Sequence, residues 1–278
     1  MNKLFVVNKP IFISSNFYLN RIKRKYKNKK AGFSGTLDPF ACGCLIVAFG
    51  QYSKLFRFLK KTPKSYRTTI FLGAISESLD IENIQSIQET KMLSKDNIIN
   101  QLESLKGELT YLPPKYSAKK IDGKRAYDLA RDGVDFEMKK VTSKIYDVKF
   151  INYSHPFITF DITVSEGSYI RSIAQILLQR LDSIGTLSYL QRLHEGDFKY
   201  EDEKSLNPLE YLDVKQNIYS GTKEWFELGK KLNIDFFEKK QDGEYLIKFD
   251  TFFAIIEIKN KEVKYILNKV LLEEDFHE

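Results

Sequence analysis

Asp38 is the acidic residue of this sequence whose surroundings best suit covalent chemistry. It lies in the segment GFSGTLDPF, residues 32–40, where two glycines and the Asp-Pro pair predict a tight loop that holds Asp38 extended. From Met1 to Ser76 the chain has fifteen lysines and arginines, and Asp38 is the single carboxylate. Nearby cations are expected to lower the pKa of Asp38 and keep it ionised, as a nucleophilic carboxylate requires. An Asp-Pro turn is also a common structural feature, so the loop alone leaves both interpretations open.

The charge distribution predicts a polyanionic partner. The formal net charge is +7, and seven basic residues without an acid occupy the segment Arg21–Lys30. A second basic group lies between Lys115 and Arg131, whereas acids are concentrated in 195–213 and 273–278. Neutralising phosphates releases counterions and favours binding, so this asymmetry indicates an RNA-binding surface. The alternative is that the lysines only solvate the surface.

Several classes of protein fit the sequence poorly. No apolar run approaches the roughly 20 residues that a membrane-spanning helix needs. No GxxxxGK[ST] loop is present and no GxGxxG follows a strand, which argues against nucleotide-dependent enzymes. The two cysteines, Cys42 and Cys44, are too close together for a disulfide framework and alternate with small apolar residues. We therefore expect core cysteines, no metal site and a reducing, cytoplasmic setting.

The elements that must position Asp38 can be predicted from periodicity. Apolar runs at 4–7, 41–49 and 66–72 indicate strands, and Ser14 is placed to cap a helix that carries the basic run. A further helix is predicted at 95–106, between Ser94 and Gly107. Alternating apolar residues at 158–164 predict a strand, and a turn and an amphipathic helix follow it. Tyr169 and Arg171 are thereby placed in the first turn of that helix.

The C-terminal part has a different character. The segment 197–213 is acidic and contains Asn207-Pro208, which indicates a linker. Short β-type runs follow at 245–249, 252–258 and 263–266, with turn residues between them. A small β-rich domain of about fifty residues is therefore predicted.

Six ordered blocks of the sequence resemble one enzyme family. The segment GFSGTLDPFACGCLIVAFGQYSK is similar to the active-site signature of the TruB-type pseudouridine synthases. The other five blocks follow in the family's order: VNKP with Ser14-Ser15, KSYR at 64–67, LPPKYSAK at 112–119 with the glycine and tyrosine after it, EGSYIRS at 166–172, and YLQRL at 189–193. The resemblance covers residues 4–195, and a chance match of six ordered blocks is improbable.

This resemblance implies an α+β pseudouridine-synthase fold with a mixed, largely antiparallel sheet. The catalytic domain would be 1–210, with an RNA-gripping insertion at about 111–142, and a small PUA-like domain would occupy 222–278. The implied activity converts the T-loop uridine of tRNA, at position 55, to pseudouridine, without a cofactor or metal. The implied partner is the T-arm of tRNA, with no membrane and no protein partner required, and the chain would act as a cytoplasmic monomer.

The resemblance also assigns roles within the reaction. Asp38 matches the nucleophile, and Arg171 matches the arginine that pairs with it. Tyr66 matches the tyrosine that stacks on the flipped base and is placed to assist proton removal from C5. Tyr169 and Leu190 match positions that line the uridine pocket. Taken singly, the tyrosines and the leucine also fit a packing role.

The remaining candidate residues concern RNA binding. Phe33 stands where the bacterial family usually has a histidine that stacks against T-loop bases, so we expect it to keep the flat surface without the ring N–H. Basic residues expected to contact RNA are Lys9, Lys64, Lys115, Lys119 and Arg131. Two alternatives remain open, namely an RNA-binding protein or RNA chaperone without activity and a pseudouridine synthase that acts on another RNA.

Overall fold

A mixed sheet of eight strands forms the centre of the protein. The computed structural model describes residues 1–117, 119–121 and 123–273. The sheet has the strand order β1-β3-β12-β4-β11-β10-β7, with β2 paired to β3. Only the β3–β12 neighbours within it run parallel, and the other pairs are antiparallel. The predicted α+β fold with a mixed, largely antiparallel sheet is therefore confirmed.

The bounds of the described elements follow in chain order. The strands are β1 (Lys3–Lys9), β2 (Ala31–Ser34), β3 (Cys42–Phe49), β4 (Lys64–Leu72), β5 (Ala74–Ser76), β6 (Ile84–Ile87), β7 (Gly107–Tyr111), β8 (Lys120–Ile121), β9 (Lys124–Arg125), β10 (Val141–Ser154), β11 (Phe157–Val164), β12 (Gly185–Glu195), β13 (Lys215–Gln216), β14 (Gly243–Lys248), β15 (Phe252–Lys259) and β16 (Glu262–Leu271). The α-helices are α1 (Ser15–Lys25), α2 (Lys95–Glu103), α3 (Ala126–Arg131), α4 (Ile170–Arg180), α5 (Pro208–Tyr211) and α6 (Glu224–Glu227).

Two predicted helices are shorter than expected. Ser14 caps α1 by accepting a hydrogen bond from the Phe17 N–H (3.1 Å), but α1 ends at Lys25. The last basic residues of the Arg21–Lys30 run therefore lie beyond the helix. Helix α2 ends at Glu103 rather than at 106, because the chain turns there to enter β7.

The strand-turn-helix segment is confirmed and supplies much of the core. Every second residue of β11 from Ile158 to Val164 is buried, as the alternation predicts. The apolar face of α4 packs on this side of the sheet through Ile173, Ala174 and Leu177, each of which is fully buried. Burial of one such leucine or isoleucine contributes about 1.5–3 kcal/mol, so α4 is held firmly at the sheet.

The C-terminal strands form a second sheet that shares a core with the first. Its order is β13-β14-β15-β16, and it begins at Lys215, before the predicted boundary at 222. Phe253 and Ile255 of β15 pack in one cluster with Val6 of β1 and Ile46 of β3. The acidic segment 197–213 is not a free linker, because its apolar side chains join this cluster: Phe198, Leu206, Leu209, Tyr211 and Leu212.

The division of the chain into 1–210 and 222–278 stays a prediction, and the shared cluster shows why no sharp boundary is expected. Among the described residues, no helix is both long enough and apolar enough to cross a membrane.

Candidate active site

The loop between β2 and β3 carries Asp38 and is fixed at three points. Gly35 adopts a φ of +67°, a left-handed conformation that glycine tolerates best. The Ser15 hydroxyl at the start of α1 accepts from the Leu37 N–H and donates to the Leu37 carbonyl, both at 2.9 Å. Lys9 Nζ lies 3.3 Å from the Pro39 carbonyl, to which it donates. These contacts hold the two neighbours of Asp38 and so limit the positions of its carboxylate.

Arg171 joins Asp38 to a second carboxylate, Asp80. Its Nη2 lies 2.9 Å from Oδ2 of Asp38, and its Nη1 lies 3.0 Å from Oδ2 of Asp80. Nη1 also donates to the Ser78 carbonyl (2.7 Å) and Nη2 donates to the Tyr116 carbonyl (2.8 Å). The guanidinium is buried, and α4 presents it from the second residue of the helix. A forked guanidinium with two contacts on each terminal nitrogen holds a carboxylate in a defined orientation.

Burial raises the pKa of Asp38, contrary to the expectation from sequence. The ion pair with Arg171 lowers that pKa, Asp80 raises it, and Lys9 lowers it to a smaller extent. Desolvation by the surrounding protein outweighs the nearby positive charge, although 32 % of the Asp38 side chain stays exposed. Basic residues elsewhere in the first quarter of the chain are therefore not what sets the ionisation of Asp38.

A pocket of about 350 Å³ brings the predicted site residues together. Asp38 and Arg171 line it, together with Tyr66 from β4 and Leu190 from β12. Tyr169 precedes α4, and its N–H donates to the Tyr111 hydroxyl (3.0 Å). The volume and the mixture of flat apolar and charged side chains suit a single nucleobase with its ribose.

Tyr66 neighbours a cluster of charged side chains on β4 and β12 that sequence reasoning missed. Burial raises the pKa of Tyr66, while hydrogen bonding and charge from Arg192 lower it. Arg192 pairs with Glu195 (2.8 Å), and Glu195 pairs with Lys64 (3.1 Å). The sequence block around Leu190 contains Arg192, but no pattern indicated that it would face inwards.

Asp80 was also missed. It follows a short strand in a polar segment and is 2 % exposed. Its Oδ1 accepts from the Ser78 hydroxyl (2.7 Å) and from the Glu82 N–H (3.1 Å), which leaves Oδ2 to face Arg171. A buried acid is recognisable only when its distant partner is known, and Arg171 is about ninety residues further along the chain.

The predicted RNA-contacting residues divide into two groups. Lys115 and Arg131 are exposed, and Lys119 lines the pocket. Lys9 disagrees with the prediction, because it is fully buried and its ammonium donates to the carbonyls of Pro10 (2.9 Å) and Ile13 (2.6 Å).

The other two candidates also differ in part from expectation. Lys64 lines the pocket but is buried, and its ammonium is held by Glu195, so it offers little free charge to a phosphate. Phe33 lies on β2 opposite Val47, packs partly against the cluster around β1 and α1, and is not among the pocket-lining residues. Direct contact between Phe33 and a base in the pocket is therefore not supported by this arrangement.

Both cysteines lie on β3, where Cys44 is in the core and Cys42 is only partly buried. Cys44 is buried, and burial raises its pKa to about 12, while Cys42 lies 3.5 Å from the Tyr189 hydroxyl. In residues 1–117, 119–121 and 123–273, no three His, Cys, Asp or Glu side chains are grouped so that they could hold a metal ion.

Comparison with known proteins gives one consistent result. Residues 23–170 match the family described as "TruB family pseudouridylate synthase (N terminal domain)". The chain is 57 % identical over 275 residues to a protein of a Sulfurovum species named "tRNA pseudouridine synthase B", covering 99 % of both chains. Relatives of the same name include one from a Nitratiruptor species (57 % identity, 97 % of this chain and 98 % of the relative) and one from Campylobacter jejuni (48 % identity, 97 % and 99 %).

Solved structures support the fold. The crystal structure of a Cbf5-Nop10-Gar1 complex contains a chain that superposes with a TM-score of 0.66 at 18 % identity, covering 99 % of this chain and 86 % of that one. An archaeal box H/ACA Nop10-Cbf5 complex gives a TM-score of 0.64 at 17 % identity, covering 99 % and 87 %. At this identity the likeness concerns the fold alone.

Proposed function

Because the chain belongs to the TruB family of pseudouridine synthases, which make pseudouridine in tRNA, we propose that it isomerises uridine 55 of the T loop with Asp38 as the nucleophile. The observation that carries the proposal is the ion pair between Asp38 and Arg171 at the wall of a base-sized pocket. Of the two carboxylates that contact Arg171, Asp38 has 32 % of its side chain exposed, whereas Asp80 is buried with 2 % of its side chain exposed.

In the proposed reaction, Asp38 acts on the ribose and Tyr66 acts on the base. The bond between N1 of uracil and C1′ of the ribose breaks when the Asp38 carboxylate attacks C1′, or when it removes a sugar proton to form a glycal. The detached uracil turns against Tyr66 and Leu190. C5 then bonds to C1′ as the ester to Asp38 breaks or, in the glycal route, as Asp38 returns the proton to the sugar. The ionised Tyr66 side chain takes the proton from C5 and returns one to N1 of the product, so that atoms balance and no oxidant or metal takes part.

To enter the pocket, the target uridine must flip out of the stacked bases of the T loop. Flipping a nucleotide costs a few kcal/mol, which favourable phosphate contacts must offset. The exposed Lys115 and Arg131, with Lys119 in the lining of the pocket, belong to the proposed RNA-gripping insertion, and we assign phosphate binding to them. We further propose that the chain acts on tRNA as a cytoplasmic monomer without a protein partner.

Tritium release from an unmodified tRNA transcript labelled at C5 of uracil tests the proposal. The wild-type chain is expected to release tritium from the T-loop uridine, and Asp38→Asn is expected to release none above background. A transcript in which the T-loop uridine is replaced by cytidine serves as the substrate control. Release by Asp38→Asn at the wild-type rate would refute the nucleophile, and release that survives the cytidine replacement would indicate another target uridine. Binding of the transcript without any release by wild type would favour the non-catalytic alternative.

A further inference from the structure

Three charged side chains lie buried beneath Gly35 and Tyr66. Lys64, Arg192 and Glu195 have side-chain exposures of 8 %, 1 % and 0 %. A Cβ added at Gly35 would lie 3.2 Å from a charged atom of each of them. We name these three residues the buried triad. Because removing charges from water costs several kcal/mol per ion, a triad of this kind is a poor source of stability.

A β-bulge creates the triad. On β4 and β12 the register pairs Tyr66 with Arg192 and Lys64 with Glu195, and a register shift lies between Arg192 and His194. In a regular strand the residue two positions after Arg192 would share its face, but the extra residue of the bulge gives that place to Glu195. The bulge therefore points both charged side chains at the pocket end of β4.

Arg192 contacts both halves of the proposed chemistry. Its Nη2 donates to the Gly35 carbonyl (2.8 Å), three residues before Asp38, and its Nε donates to the Cys44 carbonyl (2.8 Å) on β3. Arg192 is also the cross-strand neighbour of Tyr66, lines the same pocket, and its positive charge lowers the pKa of Tyr66. One rigid, forked group thus contacts the loop that carries the nucleophile and belongs to the residue paired with Tyr66 across the strands.

We propose that Arg192 is a positioning residue of the isomerisation, which fixes the Tyr66 hydroxyl relative to the Asp38 loop for removal of the C5 proton. This inference rests on the proposed function, in which Tyr66 takes that proton. Glu195 orients the guanidinium by pairing with it, and Lys64 also pairs with Glu195, which leaves the three side chains with one net positive charge.

Arg192 and Glu195 shift the pKa of Tyr66 in opposite directions. Burial raises the pKa of Tyr66, Arg192 lowers it, and Glu195 raises it. Loss of Arg192 should therefore raise the pKa of Tyr66 and move the pH dependence of proton removal to higher pH. Loss of the Glu195 charge should move it to lower pH. A purely structural triad predicts no such opposition.

Single-turnover rates on tRNA transcripts with protium or deuterium at C5 of uracil test this role. The variants are Arg192→Gln and Glu195→Gln, and the control is Arg180→Gln, a half-buried arginine at the end of α4 whose Nη1 donates to the Ser104 hydroxyl (2.7 Å). Each rate is measured from pH 6 to 10 together with tRNA affinity and thermal unfolding. General acid–base catalysis contributes about 10²–10⁴-fold, so the partial loss expected in Arg192→Gln is roughly 10–100-fold.

The expected result has three parts. In Arg192→Gln the rate falls, the deuterium isotope effect rises above that of wild type, and the pH profile moves to higher pH. In Glu195→Gln the profile moves to lower pH, and this second variant keeps the inference testable should Arg192→Gln not fold. In Arg180→Gln neither the isotope effect nor the profile changes.

Two results would overturn the inference while the proposed function stands. One is an active wild type with Arg192→Gln as fast as the control. The other is a slower Arg192→Gln whose isotope effect and pH profile equal those of wild type, since that is the signature of a structural role. A wild-type chain that makes no pseudouridine would instead overturn the proposed function.

Discussion

Replacement of Asp80 by asparagine is expected to slow the reaction through Arg171. Oδ1 of Asp80 accepts from the Ser78 hydroxyl and the Glu82 N–H, and Oδ2 accepts from Arg171 Nη1 at 3.0 Å. An asparagine has one acceptor oxygen, so its NH₂ group must face a donor on one side. If the oxygen stays with Ser78 and Glu82, the NH₂ group opposes Arg171.

The magnitude follows from the lost contact. A hydrogen bond to a charged group contributes about 1.5–3 kcal/mol, and a buried unsatisfied donor adds to the loss, so we take about 2 kcal/mol for the displacement of Arg171. That corresponds to roughly 30-fold in the rate of the chemical step, because each 1.36 kcal/mol is about tenfold. The free energy of unfolding should fall by a similar amount, of order 2 kcal/mol.

The pH dependence of the reaction should also change in Asp80→Asn. Burial raises the pKa of Asp38, with Asp80 adding to that rise. Removing the charge of Asp80 should therefore lower the pKa of Asp38 as long as Arg171 keeps its contact with Asp38, so the acidic limb of the rate profile moves to lower pH while the plateau falls. Damage to folding alone would lower the plateau without moving the limb.

Single-turnover tritium release across pH 4–8 measures both quantities. Asp161→Asn is a matched control, because Asp161 also pairs with an arginine on the same sheet: Arg67 Nε lies 2.8 Å from its Oδ1. That pair is 43 % and 22 % exposed, so its loss should cost at most about 1 kcal/mol and leave the profile unchanged. The reasoning would be refuted if Asp80→Asn matched Asp161→Asn in plateau and acidic limb.

Three further predictions concern the surroundings of the pocket. Burial lowers the pKa of Lys9 from 10.5 to about 8, so the protonated Lys9 side chain destabilises the folded state below pH 8. This destabilisation disappears as the pH rises from 8 towards 10.5. In urea unfolding, the free energy of unfolding of wild type should therefore rise by about 3 kcal/mol relative to Lys9→Met over that pH range. Phe12 is 58 % exposed and has a φ of +60°, so Phe12→Gly should raise the free energy of unfolding by about 0.5–1 kcal/mol. If the Phe12 ring stacks on a base, KM for tRNA should rise in this variant, and an unchanged KM would exclude that contact. Phe33→Ala should slow modification more than Phe33→His if a flat ring at this position displaces T-loop bases, and equal rates for the two variants would contradict stacking.

Local sequence patterns predicted the elements that carry the site. Alternation in β11 and the apolar stripe of α4 placed Arg171 at the start of a buried helix, and the structure has it there. The two glycines and the Asp-Pro pair predicted the tight loop of Asp38. These signals are readable because each depends on contacts between neighbours in the chain, where side-chain periodicity repeats at 2.0 or 3.6 residues.

Features that depend on distant residues could not be predicted. Lys9 lies in a basic segment and looks like a phosphate contact, yet three backbone carbonyls of folded loops surround its ammonium. The pKa of Asp38 rises because desolvation dominates, and burial of a loop residue depends on the whole fold. No particular residue composition marks the bulge in β12, so the sequence did not indicate that Glu195 would face Arg192.

The separation of charge across the pocket links the two proposals. Arg171 with Asp38 and Asp80 carries one net negative charge, and the buried triad carries one net positive charge. In the proposed reaction the negative charge of Asp38 passes to uracil when N1 leaves C1′, so it moves from the first group towards the second. A preorganised cation beside Tyr66 would stabilise the detached uracil anion without reorganisation, which is the largest single contribution in many enzymes. Arg192→Gln should then slow cleavage of the N1–C1′ bond as well as proton removal, and the balance between these two effects is what the deuterium isotope effect measures.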